Sequence, residues 1–432
     1  MTAQALVGLL WRVFLAGPWR LLDLLLPKRG DWWAFPVHFI KVSHFAENPR
    51  ALFEAVKDDP LLRKIVFART ADLLDEDLGG CNVVVVPLSS LRGLWLLARC
   101  KVVICDQSVS MNYSLRWGDR SYAVPPLRFA PRVVVNLWHG IPIKKLYGVW
   151  GDAMRRANLK SHMRREFPKY AGIVASSPID SYAMCSIFSP LDYRRIWVTG
   201  VPKLDFLVRA ENALPRPMQT QIARLRDVVG GRRVVSYLPT FRQVGNFQGV
   251  GYYEFTEADV AALRALLRRH DAVIGVRMHY FGRHHQRNGQ PVPSLRDYID
   301  GDRILDFSHD VVSEMAAVVR LSDVVVSDYS SAFVEAMLLH KPMVCFAYDR
   351  ASYEHEQEGL LYDIDAVVPG PVVGDAAGLL EALDAALAGR GAVDAQHYER
   401  CRRFFLSHTD DGSGARVAAC IGNVLQGRTC DA

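Results

Sequence analysis

The stretch VVVSDYSSAFVEAMLLHK, residues 324–341, decides which fold this sequence predicts. Its three consecutive valines indicate the end of a buried strand, and the polar residues after them indicate a turn. Ser330 or Ser331 can cap a following helix, because a serine hydroxyl accepts hydrogen bonds from the free N–H groups of a first helical turn. Such a helix start, at the carboxyl end of a parallel strand, suits an anion such as phosphate. The alternative interpretation is an ordinary strand, turn and helix of an α/β protein.

Strands of the same kind recur through the chain. Continuous Val/Ile-rich runs are typical of parallel strands that are buried on both faces. Such runs lie at residues 64–67, 83–86, 102–105, 133–137, 173–175 and 196–199, and again at 234–238, 273–276, 303–305, 324–327 and 343–346. The sequence therefore predicts an α/β fold of two Rossmann-like, doubly wound domains that face a cleft. We expect an N-terminal domain over residues 31–208, a C-terminal domain over residues 209–390, and C-terminal helices over residues 391–432 that can cross back.

The composition of the chain limits which classes of protein and partner are possible. Half of its 432 residues are hydrophobic, which is enough for two cores and excludes a mainly disordered chain. The formal charge of +6 suits an anionic partner, such as a membrane surface or a phosphorylated substrate, but is too weak to indicate nucleic acid binding. The eight cysteines are scattered, with no CxxC pair and no metal-ligand spacing, so we expect reduced thiols in the cytosol.

Residues 1–30 form an apolar but interrupted segment. Charged residues such as Arg12, Arg20 and Asp23 break every apolar run, so no window is long enough for a helix that spans a membrane. Tryptophans at positions 11, 19, 32 and 33 stand beside basic residues, a pattern typical of a helix in the membrane interface. We therefore expect an amphipathic, membrane-associated segment. A helix packed on its own domain is the alternative, and the sequence does not separate the two.

Polar side chains follow four of the predicted strands, at the point where each strand ends. They lie at residues 138–140, 239–242, 277–279 and 328–331. The carboxyl ends of parallel strands meet at one edge of a sheet, and in two facing domains these edges line the crevice between them. These four segments are therefore the candidate functional site.

His139 is the candidate base within these segments. It is followed by Gly140, which lets the backbone approach a ligand closely, and by Lys144 and Lys145. Nearby cations disfavour the protonated imidazole and favour a base near neutral pH. The alternative is a histidine that hydrogen-bonds a loop carbonyl.

Arg277 and His279 are candidate phosphate ligands. They are two positions apart, so they project from the same side of a strand and can share one ligand. An arginine fork suits phosphate oxygens, and an imidazole can donate beside it. Thr240 and Arg242 can add a hydroxyl and a second guanidinium to the same anion. An edge-strand salt bridge is the alternative for Arg277 and His279.

Eight short stretches carry a resemblance to a known family. They are NLWHGIPIK at 136–144, VTGVPKLD at 198–205, YLPTFR at 237–242, RMH at 277–279, SDYSS at 327–331, KP at 341–342, FAYD at 346–349 and PGP at 369–371. In this order they resemble the CDP-glycerol glycerophosphotransferase family, which contains teichoic-acid primases and polymerases and their capsule polymerase relatives. The resemblance covers roughly residues 30–390.

The resemblance implies a GT-B arrangement, in which residues 31–208 form the acceptor side and residues 209–390 bind the donor. It implies an enzyme at the cytoplasmic face of the membrane that transfers a polyol phosphate, most simply glycerol phosphate from CDP-glycerol, to a polyol-phosphate or glycan acceptor and releases CMP. Teichoic-acid-like or capsular polymer synthesis would be its setting.

The resemblance also assigns roles to residues by position. His139 and His279 match the family's essential histidines, with Gly140 and Lys144 on the acceptor side. The donor-binding turn of the family is matched by Asp328, Ser330 and Ser331. Glu335 can hold the ribose hydroxyls, and a solvated helix residue is the alternative for it.

The expected reaction is attack of an acceptor hydroxyl on the β-phosphorus of the CDP-polyol, with His139 as base. Arg277, His279, the serine turn and Arg242 would hold the pyrophosphate by positioning and charge neutralisation. No Asp-X-Asp-like pair lies at a strand end, so we expect no metal and no other cofactor. Two alternative functions remain: a GT-B glycosyltransferase that uses a nucleotide sugar, and a non-catalytic, membrane-bound assembly protein that keeps a nucleotide cleft.

Overall fold

Two parallel sheets organise the chain, and each belongs to a unit of its own. The first unit contains residues 1–140, 160–205 and 410–432, and the second contains residues 141–159 and 206–409. The structure, a computed structural model, describes residues 14, 17–37, 43–71, 73–74, 76–117, 120–122, 127–150, 165–240, 252–278, 286–287, 290–291, 293–356, 359–390 and 394–430.

The first unit is built on a seven-stranded sheet. Its strands are β1 (Arg29–Pro36), β2 (Arg63–Ala68), β3 (Val83–Pro87), β4 (Cys100–Cys105), β5 (Leu115–Trp117), β6 (Arg120–Tyr122), β7 (Val133–Asn136), β8 (Gly172–Val174) and β9 (Ile196–Trp197). Seven of them pair in parallel in the order β3-β2-β1-β4-β7-β8-β9. β5 and β6 form a separate antiparallel pair.

The second unit is built on a six-stranded sheet. Its strands are β10 (Arg233–Leu238), β11 (Ala272–Val276), β12 (Gln286–Arg287), β13 (Gln290–Pro291), β14 (Ile304–Asp306), β15 (Val324–Ser327), β16 (Met343–Phe346) and β17 (Val372–Val373). Six of them pair in parallel in the order β14-β11-β10-β15-β16-β17, and β12 and β13 form an antiparallel pair.

Helices connect the parallel strands. They are α1 (Glu47–Val56), α2 (Leu91–Arg99), α3 (Val109–Asn112), α4 (Pro178–Ile187), α5 (Asp205–Val208), α6 (Arg216–Val229), α7 (Glu257–Arg269), α8 (Met315–Leu321), α9 (Ala332–Leu338), α10 (Arg350–Glu356), α11 (Ile364–Val367), α12 (Ala376–Leu387), α13 (Ala395–Phe405) and α14 (Ser413–Leu425). Short 3-10 helices lie at Tyr147–Val149, Phe167–Lys169, Tyr193–Arg195, Pro202–Leu204, Glu211–Ala213 and Leu295–Tyr298. In the described part of the chain, no helix is long and apolar enough to cross a membrane.

The prediction of two Rossmann-like domains with parallel sheets is confirmed. Every Val/Ile-rich run named above coincides with a strand, and the strands of both main sheets are largely buried, as expected where both faces are covered. Polar side chains cap the N-termini of several helices. The hydroxyls of Ser90, Ser108 and Ser177 each accept a backbone N–H of the first turn of α2, α3 and α4.

The expectation for the N-terminal tryptophans is wrong in part. Trp32 and Trp33 are buried in β1, which lies between β2 and β4 near the middle of the first sheet. They are core residues because the faces of a central parallel strand are covered: the ring of Trp32 packs edge-on against Trp95 of α2, with 5.9 Å between ring centroids. Residues 17–25 are helical, whereas residues 1–13 lie outside the described residues.

The last helix, α14, belongs to the first unit. Its buried face includes Val417 and Ile421, and its first N–H groups, from Ser413 and Gly414, donate to the buried carboxylate of Asp205 at 3.0 and 2.8 Å. A negative side chain at a helix N-terminus is stabilised by the helix dipole. A Cβ added at Gly414 would lie 2.8 Å from Ala55 Cβ, because α14 and α1 approach closely here.

Cys420 and Cys430 form a disulfide, with their Cα atoms 4.9 Å apart. The chain reverses after α14 at Gly427, whose φ is 75°, and this turn returns Cys430 to the helix. The expectation of reduced thiols is therefore wrong for this pair. The other cysteines, Cys81, Cys100, Cys105, Cys185, Cys345 and Cys401, are free.

Candidate active site

His139 lies just beyond β7 in the first unit. The strand is buried along its length, and the chain leaves it through the buried Leu137 and Trp138 before reaching His139, which is exposed. Trp138 has a positive φ of 52°, which costs a residue other than glycine roughly 1–2 kcal/mol. Such a conformation persists only where neighbouring contacts enforce it, so these contacts decide how His139 is presented.

Two asparagines hold both backbone groups of Trp138. The side chain of Asn136 accepts from Trp138 N at 2.8 Å. The side chain of Asn48 donates to the Trp138 carbonyl at 2.8 Å and accepts from Lys203 N at 2.8 Å. Both asparagines are fully buried, so loss of either would leave backbone groups unsatisfied away from water. Asn48 and Asn136 therefore fix the turn that carries His139.

The imidazole of His139 has a defined tautomer. Its Nδ1 lies 3.3 Å from the backbone oxygen of Asp106, which can only accept, so Nδ1 carries the proton. The neutral ring then keeps its lone pair on Nε2. The ring packs on the indole of Trp138, with 3.9 Å between ring centroids. The bond to a loop carbonyl, considered above as the alternative to a base, is therefore present, and it orients the ring as a general base requires.

A buried carboxyl group follows the neighbouring strand, β8. The Oδ2 atom of Asp180 accepts from Ser176 N at 2.8 Å and from Ser176 Oγ at 3.1 Å. Burial raises the pKa of Asp180 to about 6, although the bonds from Ser176 lower it. Its Oδ1 has no hydrogen-bond partner among the described residues. Sequence reasoning did not single out this group, which titrates just below neutral pH.

The chain leaves the first unit directly after Gly140, and residues 141–159 belong to the second. There Lys144 forms an isolated antiparallel bridge with Leu360. Lys144 therefore lies in the second unit and not in the domain over residues 31–208 where it was expected, because backbone pairing with the segment around Leu360 holds it there. Its contact with the acceptor stays a prediction.

In the second unit, the candidate residues follow strands that are neighbours in the sheet. Arg277 follows β11, Thr240 follows β10 and Asp328 follows β15. The buried carboxylate of Asp328 accepts from Thr240 N at 2.9 Å, from the Thr240 hydroxyl, and from Tyr329 N at 2.7 Å. Asp328 thus ties the end of β10 to the end of β15. The hydroxyl of Thr240 donates to Asp328, and the expected contact of Thr240 with an anion stays a prediction.

The turn after β15 rests on a buried tyrosine. Tyr329 OH donates to Asp349 Oδ1 at 3.1 Å, and its ring centroid lies 4.2 Å from that of Tyr353. All three side chains are buried. Asp349, which follows β16, therefore supports the turn from the next strand of the sheet.

The two serines are the partly exposed residues of this turn. Ser330 Oγ accepts from Ala332 N at 3.2 Å, whereas Ser331 precedes α9 without a side-chain capping bond. Glu335 is only 4% exposed, so the alternative of a solvated helix residue is wrong. Its expected contact with the ribose stays a prediction.

Arg277 is held in a way that the sequence did not predict. Its buried guanidinium donates to the carbonyls of Phe307 at 2.8 Å, Val312 at 2.5 Å and Ser313 at 3.2 Å, and lies 2.8 Å from His309 Nδ1. Both terminal nitrogens are therefore bonded to the loop 307–313, and the contact expected between Arg277 and a phosphate stays a prediction. A buried guanidinium requires such partners, and here the loop carbonyls supply them.

Two further candidates, His279 and Arg242, lie outside the described residues, so the roles expected for them stay predictions. Across the ranges that the structure describes, no group of three or more His, Cys, Asp or Glu side chains is placed to hold a metal ion. The requirement for a metal or cofactor also stays a prediction.

Sequence reasoning missed the residues that support the site. Asn136 and Asp349 lie inside the quoted stretches NLWHGIPIK and FAYD, and their polar side chains at strand ends were the available signal. Asn48 is 90 positions away from Trp138, at the start of α1, and nothing in its local sequence indicates the contact.

Comparison with known proteins finds relatives among teichoic acid enzymes. The chain is 23% identical over 416 residues to the teichoic acid ribitol-phosphate primase of Bacillus spizizenii, with 94% of this chain and 95% of that protein covered. It is 27% identical over 349 residues to the teichoic acid glycerol-phosphate transferase of Staphylococcus aureus, with 79% and 80% covered.

Solved structures share the fold. The wall teichoic acid polymerase TagF superposes with a TM-score of 0.70 at 19% identity, over 98% of this chain and 97% of that chain. A TagF variant soaked with CDPG superposes with a TM-score of 0.68 at 18% identity, over 98% and 97% of the two chains. At this identity the likeness concerns the fold. Family membership rests on the sequence, since residues 34–423 match the family described as CDP-glycerol:poly(glycerophosphate) glycerophosphotransferase, and this protein belongs to that family.

Proposed function

We propose that this protein transfers glycerol phosphate from CDP-glycerol to a hydroxyl of a membrane-associated polyol-phosphate or glycan acceptor, in teichoic-acid-like or capsular polymer synthesis. Family membership gives the class of teichoic acid polyol-phosphate transferases. The relatives include both ribitol-phosphate and glycerol-phosphate enzymes, so the choice of glycerol is the finer part of the proposal. The observation that supports the proposed phosphate transfer is the exposed His139 imidazole. Its Nδ1 is bonded to Asp106 O, and its Nε2 is therefore the basic nitrogen.

The chemistry assigned to His139 is general-base catalysis. The acceptor oxygen attacks the β-phosphorus, the bond from that phosphorus to the bridging oxygen breaks, and CMP leaves with the electron pair. The acceptor proton passes to Nε2 of His139. A positioned base contributes typically about a hundredfold to ten-thousandfold in rate. The fixed turn at Trp138 supports this role, because it presents the ring in one orientation.

The donor contacts are assigned to the turn after β15. Ser330 and Ser331 are its partly exposed residues, so they can reach the pyrophosphate. Asp328, in contrast, is buried and bonded to Thr240, which suits a role in holding the turn. In this proposal Arg277 acts indirectly, through the loop 307–313 that it binds.

We place the enzyme peripherally at the cytoplasmic face of the membrane. The helix at residues 17–25 turns Trp19 and Asp23 into the first unit, where both are buried, and leaves Leu21, Leu24 and Leu25 exposed. Leucines at positions i, i+3 and i+4 form one stripe on a helix, and an exposed apolar stripe favours a bilayer interface. This arrangement combines the two alternatives considered for the segment, because one face packs on the domain and the other does not.

A product assay tests the proposal. The purified enzyme is incubated with a synthetic polyol-phosphate acceptor and with CDP-glycerol, CDP-ribitol or a UDP-sugar, and the product is analysed by mass spectrometry. We expect the mass of glycerol phosphate to be added, with release of CMP. Addition of ribitol phosphate would show that the donor is CDP-ribitol, and addition of a sugar would favour a glycosyltransferase. Donor binding without turnover, with an acceptor that a relative does extend, would favour a non-catalytic assembly protein.

A further inference from the structure

We infer that a basic cavity at the amino edge of the first sheet binds the phosphate headgroup of an anionic phospholipid. The cavity has a volume of about 720 Å³ and lies beside the starts of β7, β8 and β9. The inference rests on the proposed location at a membrane, but it does not depend on which polyol the enzyme transfers.

The lining of the cavity is strongly basic. Arg128, Arg132, Lys169 and Arg195 contribute to it, and no acidic residue does. Arg132 is engaged within the fold, because its buried guanidinium pairs with the buried carboxylate of Asp23, which Lys28 also contacts at 3.2 Å. Three cationic side chains therefore remain, and all three belong to exposed residues.

These three cations are weakly engaged by the protein itself. Within the described ranges, the side chain of Arg128 has no hydrogen bond or ion pair, and Lys169 Nζ makes only a cation–π contact, 5.6 Å from the ring centroid of Phe129. Arg195 donates through one terminal nitrogen to two backbone carbonyls, at 3.2 and 3.0 Å, and its charge also acts on the carboxylate of Asp192, which forms its ion pair with Arg194. A cavity lined by exposed cations and by no acid suits a phosphate group.

The surroundings of the cavity favour a lipid over a soluble phosphate. Asp23, which pairs with Arg132 and accepts from Arg128 N at 3.3 Å, lies in the helix at residues 17–25. The outer face of that helix exposes Leu21 and Leu24 to 58% and Leu25 to 70%. A soluble anion gains nothing from apolar side chains, whereas a bilayer offers acyl chains to the leucines and headgroup phosphates to the cavity.

The position of the cavity is compatible with catalysis in the same unit. It lies at the amino end of β7, whereas His139 follows the carboxyl end of that strand. A phospholipid held at one edge of the sheet would therefore leave the imidazole at the other edge accessible.

The test measures vesicle binding by the full-length protein. The Arg128→Gln/Lys169→Gln double variant removes two exposed cations that bind nothing essential in the described fold. The matched control, Arg92→Gln/Arg268→Gln, makes the same change in net charge with two exposed arginines, one at the start of α2 and one in α7. Binding is measured by cosedimentation with vesicles of phosphatidylcholine, with and without phosphatidylglycerol.

We expect the cavity variant to lose about tenfold to thirtyfold in affinity for vesicles with phosphatidylglycerol, since each of the two cations near an anionic surface is worth about fivefold. The control should lose less than about threefold, and both variants should melt like the wild type. Equal losses of vesicle affinity in the two variants, or no loss in either, would refute phospholipid binding at the cavity. The proposed location at the membrane would still stand. Wild-type protein that binds no vesicles would refute the location and the cavity together.

A second experiment distinguishes a lipid headgroup from a soluble phosphate as the ligand of the cavity. Inorganic phosphate at millimolar concentration is added to the same proteins in a thermal melt. If phosphate stabilises the wild type but not the cavity variant, while vesicle binding is the same for both, the cavity takes a soluble anion and the inference fails. We expect the reverse pattern, with a vesicle effect and little stabilisation by free phosphate.

Discussion

Replacing His139 by glutamine should separate catalysis from binding at a single residue. Glutamine can keep a hydrogen bond to the Asp106 carbonyl, but it cannot take a proton from an acceptor hydroxyl. We expect kcat to fall about a hundredfold to ten-thousandfold, with donor affinity within a few-fold of wild type. Steady-state kinetics and calorimetric titration with CDP-glycerol check this. A variant with nearly wild-type kcat at saturating substrates would remove His139 from the mechanism.

Asp180 should make stability depend on pH. Its folded pKa of about 6 lies above the ordinary value of 3.8, so between these pH values the folded state binds a proton that the unfolded state does not. The contribution of Asp180 to the free energy of unfolding is therefore present below pH 3.8 and is lost as the pH rises to about 6. The full change is about 3 kcal/mol.

The variant Asp180→Asn keeps an acceptor for Ser176 and cannot ionise. Urea unfolding of both proteins at several pH values between 4 and 7 gives the difference in free energy of unfolding. We expect this difference to shift in favour of the variant as the pH rises, and to be constant above about pH 6. Parallel curves over the whole range would show that Asp180 stays ionised in the folded protein.

Single residues also show where sequence reasoning stops. His139 and the serine turn could be predicted, because a polar residue at the end of a Val-rich strand is a local pattern. Arg277 could be placed at a strand end, but its partners are backbone carbonyls of residues 307–313, which no side-chain pattern encodes. The same holds for Asn48, whose contact with Trp138 depends on how α1 packs.

At the scale of elements, α14 offers a matched pair of glycines. An alanine at position 414 would bring its Cβ 2.8 Å from Ala55 Cβ, so the two helices must move apart. Overpacking of this kind typically costs about 1–3 kcal/mol. An alanine at position 422, in the same helix, meets nothing within 4 Å and should stabilise the helix by roughly 0.5–1 kcal/mol.

Thermal melts of Gly414→Ala and Gly422→Ala check this pair. We expect a lower Tm for the first variant and an equal or higher Tm for the second. If Gly414→Ala melts like the wild type, α14 does not pack tightly on α1 in solution.

Most strands could be predicted from the sequence, and one central strand could not. Continuous Val/Ile runs have few interpretations other than buried parallel strands, which is why β10, β15 and their neighbours were found. β1 has the sequence RGDWWAFP, in which two tryptophans beside charged residues equally suit a membrane interface. Only the pairing with β2 and β4 distinguishes the two, and pairing is not a local property.

At the scale of the whole molecule, the division of the chain predicts how truncation acts. Residues 410–432 belong to the first unit, where α14 covers α1 and its first N–H groups bind Asp205. Deleting residues 410–432 should therefore destabilise the N-terminal sheet, although the deletion is at the opposite end of the sequence. Deleting only residues 431–432, which keeps α14 and the disulfide between Cys420 and Cys430, serves as the control.

Limited proteolysis followed by mass spectrometry tests this prediction. The longer deletion should expose new cleavage sites within residues 29–205, and the control should not. New sites confined to residues 206–409 would show instead that α14 supports the second unit.

Because residues 410–432 belong to the first unit, that unit cannot be completed until the end of synthesis on the ribosome. The strands of the first sheet are complete once residue 197 has emerged, but their last covering helix ends at residue 425. At about 5–20 residues per second, the intervening chain takes roughly 11–46 s to make. Throughout that interval the apolar face of α1 lacks its cover, while the second unit is being completed. A nascent chain of this protein should therefore depend on a holding chaperone for its first half until translation ends.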